Sequence, residues 1–152
     1  MKQSQRGFSF VEMLIVIAIM AIILIAGIPY YQQGVRNARE TAAIRTIHTL
    51  HAAELQYYSQ YARYAVSLEE LGPPRGGPPG PNAAKLISAD LASGQKGGYR
   101  FRLTVEPEGY AVHAEPVKFG SDGSRTFYSD QTMVVQENRG PEPATANSPE
   151  TR

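Results

Sequence analysis

One carboxylate stands alone in the most apolar part of this sequence. Glu12 is the single charge in Phe8–Ile28, FSFVEMLIVIAIMAIILIAGI, a run of 21 residues. At bilayer depth such a group costs about 2.5–3.5 kcal/mol on insertion scales, so it either finds a partner or snorkels to the interface. A second group, His48, His51 and Glu54, lies at helical spacing, with His51 and Glu54 on an apolar face. His48 and His51 are i,i+3, but no third ligand accompanies them and HExxH is absent. The expected arrangement is a His51–Glu54 polar contact at the edge of a core. His113 stands alone on a strand. There is no cysteine, hence no disulfide, zinc-thiolate site or catalytic thiol. No nucleophile with a base, GxSxG, Walker loop or catalytic carboxylate pair is present, so the chain reads as a non-enzyme that needs no cofactor. A formal net charge of +1 gives no electrostatic case for binding nucleic acid.

The elements that position these groups follow from periodicity. As a helix, Phe8–Ile28 is about 31 Å long, the thickness of a bilayer core. Lys2 and Arg6 precede it and no basic residue follows until Arg36, which places Met1 in the cytoplasm and the remainder outside. The helix continues from Tyr31 to Tyr61. There Ala43, Ile44, Ile47, Leu50, Leu55, Tyr58 and Tyr61 fall within an arc of roughly 140° at about 100° per residue. Arg36 and Glu40 also fall inside that arc, so the stripe is expected to begin only after Glu40. Gly27 and Pro29 mark the join between the two halves and a candidate kink. LGPPRGGPPGP (71–81) is a loop, and a short helix is expected within Ala83–Leu91. Tyr99–Val105 and Tyr110–Ala114 alternate as a hairpin, and Thr126–Ser129 with Met133–Gln136 suggests another. The fold class is α+β: one long N-terminal helix on a small antiparallel sheet of three or four strands. A polar, Pro-rich tail over residues 139–152 is expected to be disordered.

The N-terminus resembles the type IV prepilin family, which includes the pseudopilins of type II secretion. The resemblance rests on Lys2 and Arg6, then Gly7-Phe8-Ser9-Phe10-Val11-Glu12, then the apolar run. It implies a leader of residues 1–7, cut by an aspartic prepilin peptidase between Gly7 and Phe8, with N-methylation of Phe8. It also implies that Glu12 pairs with the new Phe8 amine of a neighbouring subunit and so fixes register. Residues 8–30 then form the transmembrane and assembly helix, and residues 31–138 the globular domain. Pro29 falls where many pilins carry a proline. The resemblance further allows calcium ligands at Asp122 and Asp130, although SDGS is also a plain turn sequence.

The implied function is structural: a subunit held in the inner membrane, then polymerised with copies of itself by pilus or secretion machinery into a surface or periplasmic filament. Two alternatives accompany it. One is a minor pilin or type II secretion pseudopilin; the other is a membrane-tethered extracytoplasmic binding module. The resemblance predicts a mature chain that starts at Phe8 and carries an N-methyl group, which intact-mass and N-terminal fragment spectra test. Filaments built from chains that retain Met1 would overturn it.

Overall fold

The computed structural model describes residues 8–107 and 109–151, with residues 25–28 described in the backbone alone. The chain divides into two compact units, Met1–Val35 and Arg36–Arg152. Helix α1 spans Phe10–Tyr61 and contributes to both. Its helical assignment runs unbroken through Gly27 and Pro29. In the first unit the described side chains from Phe8 to Leu24 are exposed on every face. The helix is long and apolar enough to cross a membrane.

In the second unit α1 buries one face. Glu40, Ala43, Ile47, Leu50, His51, Ala53, Glu54 and Tyr57 are all buried. This face is turned by roughly 50°, at about 100° per residue, from the stripe expected from the sequence. Leu55 and Tyr58, expected inside, are 49% and 48% exposed. Glu40, expected to precede the stripe, lies within it. An arc drawn from apolar residues alone misses polar side chains that are buried because they find partners.

Two one-turn helices follow, α2 at Leu68–Leu71 and α3 at Ala89–Ala92. The Pro/Gly stretch between them is a loop, as its composition requires. It is closed by backbone bonds from Ala84 N–H to Glu70 O and from Leu86 N–H to Leu71 O. The sheet is a five-stranded antiparallel meander in chain order. Its strands are β1 Gln95–Lys96, β2 Tyr99–Glu106, β3 Gly109–Pro116, β4 Thr126–Asp130 and β5 Val135–Asn138. The count exceeds the expected three or four because β1, only two residues long, carries no alternation to read. β5 begins two residues later than its sequence suggests. Met133 sits in the left-handed region at φ 64° and donates its N–H to Asp130 O, which extends the turn.

The register places Leu103 opposite Val112, Ala114 opposite Phe127, and Val112 opposite Ser129. One sheet face therefore carries Tyr99, Phe101, Leu103, Tyr110, Val112, Ala114 and Phe127, all part of one core with the α1 stripe. Gly123, in the turn before β4, is needed for packing: a Cβ there would collide with the Tyr99 ring and hydroxyl.

The tail corrects its expectation of disorder. Ala144 is buried with Ala111 and Tyr128 on the outer sheet face. Thr126 Oγ1 donates to Glu142 O, Glu137 N–H to Pro149 O, and Thr151 N–H to Val135 O. A polar composition does not prevent order when a free strand edge offers unpaired backbone groups.

The rotated helix phase has a measurable consequence. In the chain that starts at Tyr31, Leu50→Ala should cost about 2–5 kcal/mol, because it opens a cavity in the core. Leu55→Ala should stay within about 0.5–1 kcal/mol, as for an exposed site. Urea unfolding of both variants checks this, and equal losses would restore the stripe drawn from the sequence.

Candidate assembly site and buried polar groups

The first turn of α1 is built around Glu12. Ser9 occupies the N-cap position and Glu12 lies three residues further on. The Ser9 N–H donates to Glu12 Oε2 at 2.9 Å, and Met13 N–H reaches back to Ser9 O at 3.2 Å. This is one arm of a capping box, in which an N3 carboxylate satisfies an otherwise orphaned N-terminal N–H. A negative charge here also meets the positive end of the helix dipole. The Ser-x-x-Glu spacing is the signal for it in the sequence. Phe8 and Phe10 stand exposed beside it. Gly7 and the leader lie outside the described residues.

The expected His51–Glu54 contact does not form. His51 Nδ1 is 2.7 Å from the Tyr110 hydroxyl, and Nε2 is 2.8 Å from Ser129 Oγ, so the ring bridges α1 to β3 and β4. Burial pushes its pKa down to about 4, aided by the charge of His48 and opposed by Asp130. Glu54 faces the other way and accepts the Ala65 N–H on Oε2 at 3.0 Å, which ties α1 to the turn that follows it. Its Oε1 is buried without a partner. Burial pushes the Glu54 pKa up to about 7; the Ala65 bond and Arg63 pull it down, and Glu70 adds to the rise. A sequence pairs residues by spacing, and here each finds a better partner on another element.

A third group went unread. Glu40 Oε1 accepts the Ser124 N–H at 2.7 Å and the Ser124 hydroxyl at 2.8 Å, while Oε2 accepts Arg125 Nε at 2.8 Å. Arg125 also pairs with Glu137, which pairs in turn with Arg139. Burial alone would raise the Glu40 pKa, but the Ser124 and Arg125 bonds hold it below its ordinary value. The only signal in the sequence was the position of Glu40 inside the apolar arc.

Asp122 and Asp130, which the resemblance allowed as calcium ligands, each have protein partners. Asp122 pairs with Arg39 and accepts the Lys118 N–H at 3.1 Å. Asp130 accepts the Thr132 N–H at 2.9 Å. The two carboxylates lie at opposite ends of β4 and each holds its own turn. Among the described residues no cluster of three or more metal-ligating side chains occurs. His113 lies on the outer face, its Nε2 3.4 Å from Thr104 Oγ1 and its ring edge-on to Tyr128.

A long N-terminal apolar helix, capped by one acidic residue and followed by an antiparallel sheet, defines a pilin-like α+β architecture. Residues 2–28 match the family model of the prokaryotic N-terminal methylation motif. The chain thus carries a prepilin-type signal, which points to a structural protein anchored in a membrane before assembly. No curated protein and no solved structure was found to match the chain.

Glu54 and His51 oppose one another in pH. With its pKa raised from 4.5 to about 7, Glu54 contributes stability that is complete below its unfolded value and lost as pH rises to about 7. His51, lowered from 6.5 to about 4, contributes stability present above 6.5 and lost as pH falls to about 4. Glu54→Gln keeps an acceptor for Ala65 and removes the first effect. Relative to wild type, the variant should gain about 3 kcal/mol between pH 4.5 and 7.5, in urea unfolding of the chain that starts at Tyr31. A pH-independent difference would show that Glu54 is ionised in the core.

Proposed function

We propose that this chain is the precursor of a subunit of a type IV pilus-like filament. Prepilin peptidase cuts it between Gly7 and Phe8 and methylates the new amine, and inner-membrane assembly machinery polymerises it through the N-terminal helix. The observation that carries this reading is the head of α1: a carboxylate held at the N-terminal turn of a helix that is otherwise apolar, and exposed on every face, from Phe10 to Leu24.

Such a surface is satisfied in a bilayer and equally by a bundle of like helices. The step between the two needs something that lipid does not offer, and a cationic amine on a neighbour offers it to Glu12. The Ser9 N–H occupies Oε2 in the single chain, and cleavage leaves that bond intact while it creates the Phe8 amine. Glu12 thus keeps its cap and adds a charge-assisted bond when subunits meet. Gly27 and Pro29 serve the same assembly. Proline removes the donor for the Ile25 carbonyl, so the helix loosens there once neighbouring helices can satisfy the freed group. The sheet domains face outward, either from the cell surface or within the periplasm.

Glu12→Ala should reach the membrane at least as well as wild type, because an intramembrane charge is gone. It should nevertheless yield few or no filaments by electron microscopy of sheared fractions, at equal membrane levels of the subunit. Normal filament yield would remove the register role, and a wild-type chain that never forms filaments would favour the membrane-tethered module.

A further inference from the structure

The inner face of the sheet runs past the end of the helix that covers it. Val105 belongs to that face, paired with Tyr110 across β2 and β3, yet it is 56% exposed. α1 stops at Tyr61, and the chain turns away through Ala62 in the left-handed region at φ 54°. What remains is a shallow groove of about 460 Å³, lined by Tyr58, Tyr64, Val66, Val105 and Pro107. Val66 is 55% exposed. Among the described residues the acidic group lining its rim is Glu106, half-buried, whose Oε1 also accepts the Tyr128 hydroxyl at 3.3 Å. The rim cation Arg63 is already held by Glu70 through bonds of 2.9 and 3.2 Å.

The opposite end of the sheet presents the complementary shape. After β3 the chain forms a turn, Val117-Lys118-Phe119-Gly120, fastened by Arg36 Nη1 to Gly120 O at 2.7 Å. Phe119 projects from it at 45% exposure, flanked by exposed Val117 and Lys118. Asp122 fixes the base of this turn by accepting the Lys118 N–H. Among the described residues the Lys118 ammonium pairs with no carboxylate. The groove and the knob are separated by the length of β3, eight residues or about 26 Å at 3.3 Å per residue.

We propose that the Phe119 knob of one copy seats in the Val105–Tyr58–Val66 groove of the next, with Lys118 set against Glu106. The contact joins different surfaces of identical subunits, so every copy offers one knob and one groove. A head-to-tail contact of this kind does not close on itself unless its rotation makes a ring; otherwise it propagates as a filament. The occupant is a second copy because the two exposed apolar patches match in character and carry opposite charge at their rims. The inference rests on the filament reading above, and adds an axial contact between sheet domains to the contacts between helices.

The absence of cysteine makes the test clean. Full-length chains with Val105→Cys and Phe119→Cys together, assembled into filaments and oxidised, should give a covalent ladder of dimers, trimers and higher species under denaturing electrophoresis. Each single-cysteine chain should stay monomeric. The separation of the two positions prevents a bond within one chain. Filaments that form normally but give no ladder would overturn the contact and leave the filament reading intact. Dimers from a single-cysteine chain would overturn it in favour of a like-to-like contact. If wild-type chains form no filaments, the filament reading fails and this contact falls with it. Should the double-cysteine chain not assemble, a charge exchange decides: Lys118→Glu should lower filament yield at least threefold, and adding Glu106→Lys should restore it. Unchanged yield, or no restoration, would overturn the proposal.

Discussion

A helix with apolar side chains on every side has no good place in water. An amphipathic helix hides one stripe against a sheet and is then finished. The segment from Phe8 to Leu24 has no polar side to leave outside, so its surface requires apolar surroundings in all directions. Fully burying one large aliphatic or aromatic side chain is worth about 1.5–3 kcal/mol, and the segment holds many of them. Lipid and a bundle of like helices meet this requirement equally. The rest of the chain is arranged around that condition. The sheet domain folds on the second half of the same helix and has its own core there.

A second constraint follows within that frame. If hydrophobic burial does not distinguish lipid from a helix bundle, it cannot direct assembly either. Direction must come from a group that lipid leaves unsatisfied. In the proposed filament Glu12 is that group, and its place in the first turn would serve two purposes. It closes the helix end by accepting the Ser9 N–H. It also holds a negative charge at a defined height, four residues from the proposed new terminus.

How much of this was legible in the sequence depends on whether the signal was local. The helix and its two halves, the Pro/Gly loop and the first hairpin are all periodic or compositional features, and the structure carries each of them. The short strand β1 has no period to detect. The tail was misread because order there comes from pairing with β5 and from Ala144 against Tyr128, partners remote in sequence. The buried polar groups failed for the same reason. His51 and Glu54 are neighbours by spacing, yet their partners are Tyr110, Ser129 and Ala65. The resemblance allows Asp122 and Asp130 as calcium ligands, and in the structure each holds its own turn, one before β4 and one at its end.

The phase of α1 shows how such polar contacts act on packing. By apolar content alone, a helix turned by roughly 50° would bury Leu55 and Ile44 more fully. Such a turn displaces side-chain tips by about 5 Å at the helix's outer radius of 5–6 Å. That is enough to break every hydrogen bond from Glu40 to Ser124 and Arg125, and both bonds from His51. It would also carry Tyr57 out of the core, where its hydroxyl shares one proton between Pro81 O at 2.7 Å and Glu70 Oε2 at 3.0 Å. A buried carboxylate or imidazole left without partners costs more than one half-exposed leucine gains. Hydrophobic burial therefore selects the side of the helix, and the polar contacts select the angle. Where these two criteria disagree, apolar surface is left over at Tyr58 on the helix, beside Val105, which the helix ends too soon to cover. In a chain without disulfides that angle is held by hydrogen bonds and packing, and the same angle leaves the groove beside Tyr58 open to a neighbour.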